Sequence, residues 1–219
     1  MRFAAACLVP FLLADATPKG GDFRETLWSP GDFVAIANQP LDRLVESGHA
    51  VGLQISGQGE SCLLRRRTYP LRLPCRLKFR VRWTDAKFDH AFPTVHVVFD
   101  PPPTTADWWK HPTTHNGSHW GDGRQTFLFH FATRPDFRRI GMTSELESAH
   151  GRHGYCSEKG ARIDLEIRLD ARTTAVFADG RKVAECEADL RGFKSFTYGI
   201  GDQTSTFVEL DEFCCVEGR

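Results

Sequence analysis

The chain has 219 residues, with 28 Lys and Arg against 28 Asp and Glu, so its formal net charge at pH 7 is zero. This length suits one large β domain with a substantial core, and a hydrophobic fraction of 41% with 26% charged residues excludes wholesale disorder. Because there is no excess of positive charge, nucleic acid and an acidic membrane surface are not expected as partners, and any charge preference must be local.

The N-terminus has the pattern of a secretory signal peptide over residues 1–16. A basic second residue precedes an apolar run over residues 3–13, and residues 14–16 read Ala-Asp-Ala, the small-x-small pattern of a signal-peptidase site. The run is too short to span a bilayer. We expect cleavage after Ala16 and a secreted or periplasmic protein in which residues 17–219 form a single domain. The alternative for the run is a buried first strand.

Alternation of apolar and polar residues predicts about ten short strands. The clearest case is residues 75–83, where apolar side chains take every odd position and cations every even position. Residues 163–169 alternate in the same way. Further strands are predicted, in chain order, at residues 33–37, 50–55, 94–99, 126–131, 174–178, 181–187, 196–200 and 206–215.

Only residues 41–46 read as a short helix. Asp179-Gly180 has the chemistry of a tight turn and predicts a hairpin between residues 174–178 and 181–187. Many short strands, little helix, 19 Gly and 12 Pro together predict an all-β fold, a two-sheet antiparallel jelly-roll β-sandwich.

Six of the seven cysteines remain after signal cleavage, which allows up to three disulfides in an oxidising compartment. No C-x-x-C pair is present, and this disfavours a zinc knuckle. Cys214 and Cys215 are adjacent, so on a strand they would point to opposite faces. Cys62 and Cys75 could link two neighbouring strands, but the sequence leaves the pairing open.

The last third of the chain resembles a known superfamily. Ile167-Arg168-Leu169-Asp170, the Asp179-Gly180 hairpin, Tyr198-Gly199-Ile200-Gly201 and Phe207-Val208-Glu209-Leu210-Asp211-Glu212-Phe213 are similar to the strands of laminin-G-like and other concanavalin A-like lectin/glucanase domains. The similarity covers roughly residues 160–216. It implies a jelly roll and an extracellular protein that binds or cleaves carbohydrate, but not a particular activity.

Catalytic motifs of that superfamily are not matched. The Glu-x-Asp-x-x-Glu strand of its glucanases is missing, and Glu209 with Asp211 resembles a structural pair instead. Alginate-lyase-like members have an Arg-x-Glu-Leu-Arg strand and a Gln-x-His strand. Residues 143–147 and 94–96 are partly similar to these two motifs, but they lack the arginines and the Gln, and they occur in the reverse order along the chain. No catalytic residue is therefore carried over.

A long segment over residues 100–124 concentrates aromatic and polar side chains. Indole rings offer platforms for pyranose rings, and polar neighbours can bind sugar hydroxyls. The alternative is a long loop pinned to the sandwich by its tryptophans. The candidate carbohydrate-binding residues are Trp108, Trp109, His111, His115, Trp120 and Arg124.

Metal binding by this segment is not expected. His111, His115 and His119 are spaced by four, but Pro112 and Gly117 break the helix that would align them. No metal site or cofactor is predicted, with calcium left open.

The polar sides of the strands form a second candidate surface. His96 and His130 are expected opposite the buried side chains of their strands, and Glu145 shares a strand face with Glu147. Arg76, Lys78, Arg80 and Arg82 form a basic row. Such a surface could bind an acidic polysaccharide or perform acid–base chemistry on it, with His96, His130 and Glu145 as the candidate catalytic residues. The alternative is a solvated face that blocks edge pairing.

We therefore expect a secreted protein that recognises a polysaccharide or oligosaccharide, neutral or acidic. One alternative is a lyase or glycoside hydrolase of the same fold. The second is a structural or protein-interaction sandwich.

Overall fold

The computed structural model describes residues 22–29, 31–37, 41–47, 50–55, 58–84, 94–101, 126–130, 140–143, 162–187, 189–204 and 207–218. Within these ranges the chain forms fifteen β-strands and no helix. A membrane-spanning helix is accordingly not found in this part of the chain. The predicted signal peptide and its cleavage site lie outside the described residues.

The strands run in chain order as follows: β1 (Phe23–Glu25), β2 (Phe33–Ala37), β3 (Leu41–Ser47), β4 (Ala50–Ile55), β5 (Gln58–Arg65), β6 (Tyr69–Pro70), β7 (Cys75–Thr84), β8 (Thr94–Phe99), β9 (Thr126–His130), β10 (Ile140–Thr143), β11 (Arg162–Leu169), β12 (Thr173–Ala178), β13 (Arg181–Glu187), β14 (Ser195–Thr204) and β15 (Phe207–Glu217). The ten predicted strands are all present, with ends shifted by a few residues at most.

The strands form two antiparallel sheets. One has eight strands in the order β13-β12-β11-β7-β15-β4-β3, with β1 paired to β15. The other has seven strands in the order β10-β9-β8-β14-β5-β2, with β6 paired to β14. This arrangement confirms the predicted all-β antiparallel sandwich.

The core fills the space between the sheets because strands of both sheets turn alternate apolar side chains inward. From β7, Cys75, Leu77, Phe79 and Val81 are buried, as the alternation predicts. The centre of the core is aromatic: the ring centroids of Tyr198 and Phe213 are 3.7 Å apart with the rings stacked, and the ring centroid of Phe79 lies 5.0 Å from that of Phe213. Each fully buried aromatic ring stabilises the fold by about 1.5–3 kcal/mol relative to exposure.

The Asp179-Gly180 turn is confirmed as the link between β12 and β13. Both residues have positive φ, 49° and 77°, which is the requirement of a type I′ hairpin turn. Aspartate tolerates this conformation and glycine adopts it without a steric penalty.

The helix predicted over residues 41–46 is wrong. This segment lies within β3, which pairs antiparallel with β4 and places Ser47 opposite Ala50. Its apolar residues have a spacing that a short helix would also show, but pairing with an adjacent strand overrides such a weak local preference.

A polar cluster between the sheets ties β1 to the seven-stranded sheet. The Glu25 carboxylate accepts hydrogen bonds from the Tyr69 hydroxyl, at 2.7 Å, and from the Tyr198 hydroxyl. Arg65 Nη2 lies 3.3 Å from Glu25 Oε1, and its Nη1 lies 2.9 Å from Asp32 Oδ1. Burial, followed by the negative charge of Glu25, raises the pKa of Tyr69, so this hydroxyl stays protonated and donates. These five residues are called the Glu25 cluster below.

Three described cysteines, Cys75, Cys214 and Cys215, are free thiols. Cys62 and Cys75 do not lie on neighbouring strands, because β5 and β7 belong to different sheets, and Cys75 is unpaired in this structure. The opposite orientation of the adjacent pair is confirmed: Cys215 is buried in the core, whereas the Cys214 thiol contacts Glu212 on the other face.

Candidate functional site

The outward side chains of three adjacent strands of the eight-stranded sheet form a charged face. They point away from the core because their neighbours in sequence are the buried residues of β7, β11 and β15. The charged face consists of Arg76, Lys78, Arg80, Arg82, Arg162, Asp164, Glu166, Arg168, Glu209, Asp211, Glu212 and Cys214.

The basic row predicted on β7 exists, but carboxylates from the strands on either side pair with three of its four cations, Lys78, Arg80 and Arg82. Arg80 Nε lies 2.8 Å from Asp164 Oδ1, and its Nη1 lies 3.2 Å from Glu212 Oε2. Lys78 Nζ lies 3.5 Å from Glu166 Oε2. The strand register produces this pairing by placing Arg80 opposite Asp164 and Lys78 opposite Glu166. The centre of this face is therefore a mixed-charge lattice.

The Glu209 and Asp211 carboxylates, which have strand spacing in the sequence, are held by arginines. Glu209 accepts a hydrogen bond from the Arg82 guanidinium. Asp211 Oδ2 lies 3.2 Å from Arg162 Nε. Both acids are therefore ion-pair partners of arginines on adjacent strands, Glu209 through a hydrogen bond and Asp211 Oδ2 without one, which is consistent with the structural role that the resemblance implies.

A pocket of about 340 Å³ opens within the charged face. Its lining includes three cations, Lys78, Arg80 and Arg168, and three carboxylates, Asp164, Glu166 and Glu212. The formal charges of these six side chains sum to zero. A dense set of paired donors and acceptors around a neutral cavity is suited to a ligand that carries many hydroxyl groups and no strong charge of its own.

Phe177 adds an aromatic ring to the pocket. The Arg168 guanidinium carbon lies 3.7 Å from the ring centroid, and Arg168 Nε donates to Glu166 Oε1 at 2.5 Å. The ring and the carboxylate together fix the guanidinium in the pocket. Phe177 was not among the predicted site residues. The predicted strand over residues 174–178 held a signal for it, because side chains on a strand alternate between two faces and Phe177 lies between two positions of the inner face. The structure buries those positions, Val176 and Ala178, and leaves Phe177 on the outer face.

Two carboxylates of the pocket, Glu166 and Glu212, are ionised at neutral pH. Burial opposes ionisation of Glu166, but the hydrogen bond and charge of Arg168, with the charge of Lys78, outweigh it and lower the pKa. At Glu212 burial is likewise outweighed by hydrogen bonds from Cys214 and Arg24 and by nearby cations, so its pKa is also lowered. A general acid of a glycosidase needs a raised carboxyl pKa. These two groups are therefore suited to binding, not to proton donation.

The two histidines predicted as catalytic candidates lie on neighbouring strands of the other sheet. His130 is paired with Thr94, two residues from His96, so the histidines occupy diagonal positions of the β8–β9 ladder. His96 is on the opposite side of β8 from Val95 and Val97, as predicted, but it is only 3% exposed. Burial of this ring limits its direct contact with a polymer.

The remaining predicted site residues lie outside the described part of the chain. They are Trp108, Trp109, His111, His115, Trp120, Arg124 and Glu145. They stay predictions.

A metal site is not found among the described residues, which contain no group of three or more His, Cys, Asp or Glu able to hold an ion.

The two-sheet antiparallel sandwich recurs in solved structures. A Bacillus subtilis protein of unknown function with a galectin-like fold aligns with a TM-score of 0.64 and 11% identity, covering 90% of this chain and 96% of that chain. The carbohydrate recognition domain of Emp47p aligns with a TM-score of 0.58 and 12% identity, covering 89% and 92%. The Bauhinia forficata lectin in complex with GalNAc aligns with a TM-score of 0.57 and 12% identity, covering 89% and 96%.

Neither a protein-family model nor a curated protein matches the sequence. At these identities the structural matches establish the fold, and the class they define is the lectin-type β-sandwich. More narrowly, the chain has the fold of the concanavalin A-like lectin superfamily, which confirms the resemblance seen in its last third.

Proposed function

We propose that the protein recognises carbohydrate. The observation that carries this proposal is the alignment, over about nine tenths of both chains, with a carbohydrate recognition domain and with a lectin that holds GalNAc. A third structure of the same fold is a carbohydrate-binding module from Bacillus subtilis, with a TM-score of 0.52 and 11% identity, covering 83% of this chain and 94% of that chain. With the signal peptide expected over residues 1–16, we extend the proposal to a secreted protein.

The pocket of the charged face is the proposed site for a neutral sugar. Sugar hydroxyls donate and accept at once, so they can bridge the guanidinium and carboxylate groups that already alternate there. Arg168 bonds to Glu166 through Nε, and among the described residues its Nη atoms have no hydrogen-bond partner, so they can donate to a ligand. An acidic sugar would have to compete with Asp164, Glu166 and Glu212 for the same cations, and this favours a neutral ligand.

The predicted Trp/His segment supplies a second proposed surface. Its tryptophans and histidines have the chemistry of a pyranose platform, and such residues commonly lie in long loops. The two surfaces can be separated by mutation because they share no residue.

Binding is favoured over cleavage at the pocket. Hydrolysis requires one carboxyl group that is protonated near neutral pH, whereas the pKa values of Glu166 and Glu212 are both lowered. A degrading enzyme of this fold would have to use other groups.

The test is an array of neutral and acidic glycans, followed by calorimetry with the strongest ligand and an assay for reducing ends and unsaturated products. We expect binding of a neutral glycan without turnover. Phe177→Ala should weaken binding at least about tenfold, which corresponds to about 1.4 kcal/mol. Trp109→Ala and Trp120→Ala test the second surface in the same assay.

The matched control is Arg191→Ala, because this exposed arginine pairs with Asp189 and does not line the pocket. It should leave affinity unchanged. Loss of binding only in the tryptophan variants would assign recognition to the Trp/His segment, and an affinity that falls steeply with salt would show an acidic ligand. Failure to bind any glycan would refute the proposed function.

A further inference from the structure

Two of the free thiols lie on one inner face of the sandwich. β7 and β15 are adjacent, with Cys75 opposite Glu217 and Cys215 opposite Leu77, so the cysteines are diagonal neighbours across one ladder. Both side chains point into the core and are 3% and 4% exposed. Cys75 is the first residue of its strand and Cys215 is two residues from the end of the other.

The register brings the two thiols near each other on the inner face, and the neighbouring Cys75 thiol, together with burial, raises the pKa of Cys215. A single buried cysteine would be explained as a small apolar residue of the core. Two that point to the same face from diagonal positions of adjacent strands have a second chemistry available, because their sulfur atoms can be joined.

The other thiol of this region is excluded as a partner by the strand geometry. Cys214 precedes Cys215 and therefore lies on the charged face, where its Sγ donates to Glu212 Oε1 at 3.2 Å. The sheet separates it from the two inward thiols. This makes Cys214 an internal control of nearly the same position in the chain.

We propose that Cys75 and Cys215 form a reversible disulfide when the protein meets a small disulfide oxidant such as oxidised glutathione. One cysteine thiolate attacks the oxidant, expels one glutathione thiolate and becomes a mixed disulfide. The second cysteine thiolate attacks the protein sulfur of that intermediate and expels the other glutathione. One sulfur–sulfur bond is broken and one is formed, and the two electrons and two protons lost by the cysteines leave with two molecules of reduced glutathione.

Reversibility follows from the diagonal placement. Diagonal residues of an antiparallel ladder have Cα atoms about 7–8 Å apart, whereas disulfides usually need about 4.4–6.8 Å. The ends of β7 and β15 must therefore move together to form the bond. Strained disulfides are the ones that small thiols reduce most readily. Access is provided by opening at the strand ends, where local stability is lowest.

The experiment titrates the folded full-length chain with defined ratios of reduced and oxidised glutathione, quenches with acid, alkylates free thiols and maps the linked peptides by mass spectrometry. We expect a Cys75–Cys215 linkage that appears as the ratio becomes oxidising and disappears when reduced glutathione is restored. Cys214→Ser should leave this titration unchanged, and Cys215→Ser should leave Cys75 open to alkylation.

The wild-type map decides the question even where a variant folds poorly. Alkylation of both cysteines at every ratio, or a linkage of either one to another cysteine, would overturn the proposal. A linkage that forms but resists reduced glutathione would overturn its reversibility. The result does not depend on carbohydrate binding, so either proposal can fail alone.

Discussion

Replacing Glu25 with alanine tests whether the Glu25 cluster holds the two sheets together. The carboxylate accepts from Tyr69 and Tyr198 and lies 3.3 Å from Arg65 Nη2. Its removal leaves two buried hydroxyl donors without their acceptor, at about 1–3 kcal/mol each. Arg65 keeps Asp32 at 2.9 Å, so its charge is not left alone. We expect a loss of about 3–5 kcal/mol, within the range for breaking one side of a buried pair.

Urea unfolding, followed by fluorescence and far-ultraviolet circular dichroism, measures the loss as a change in midpoint at constant slope. Glu25→Gln keeps the side-chain length and one acceptor oxygen, so it should cost less than half as much. In a protein that also carries Tyr69→Phe and Tyr198→Phe, the two hydroxyl donors that would lose their acceptor are absent. The loss of unfolding free energy caused by Glu25→Ala should therefore be smaller there by about 2 kcal/mol or more.

The reasoning would be refuted by a cost below about 1 kcal/mol, which is the level of an exposed ion pair. An equal cost in the wild-type and double-phenylalanine backgrounds would also refute it. In that case the hydroxyl contacts would contribute nothing, and the Arg65 pairing alone would hold β1.

Two further predictions concern stability. Gly199→Ala should lower the free energy of unfolding in urea by at least about 3 kcal/mol, because an added Cβ would lie 2.0 Å from the Leu63 carbonyl oxygen. The matched control is Gly192→Ala, which should be nearly neutral because no atom lies within 4 Å of the added Cβ. Burial raises the pKa of Tyr69 and Tyr198 above the value of about 10 in the unfolded chain, so the contribution of these two hydroxyls to stability should be constant below pH 10 and fall above it by about 2.7 kcal/mol per pH unit while both stay protonated in the folded state. Tyrosinate absorbance should show that at least two of the three tyrosines ionise only on unfolding, and early ionisation of both would contradict their burial.

The strands could be predicted from the sequence wherever one face of the strand is buried and the other faces solvent. Strands β7 and β11 alternate strictly, so the local sequence is enough to assign residues 75–82 and 162–169 to the inner or the outer face. Strand β5 was missed because Leu63 and Leu64 are consecutive and both fully buried, which removes the alternation. Strand β1 was missed because three residues are too few to show a period.

The site could be predicted only as a set of residue types. The even positions of β7 were identified as a cationic row, but the acids that neutralise it come from strands far away in the chain. Arg80 and Glu212 are 132 residues apart in the sequence, and only the strand register makes them partners. Local patterns contain no such register, so a basic surface was expected where the structure has a mixed-charge lattice.

A β-bulge in β15 connects the core, the pocket and the thiol pair. The register shifts between Leu210 and Glu212, so that Asp211 is an extra residue in the ladder with β7. Inward residues therefore have even numbers before the bulge and odd numbers after it, as the buried Leu210 and Phe213 show. If the ladder instead alternated regularly through Asp211, with no bulge, Glu212 would point into the core and Phe213 toward solvent. This change of parity is visible in the sequence, since the apolar positions of residues 207–215 do not fit one alternation. The bulge is therefore what gives the pocket a carboxylate opposite Arg80 while keeping the central aromatic ring, and with it Cys215, on the inner face.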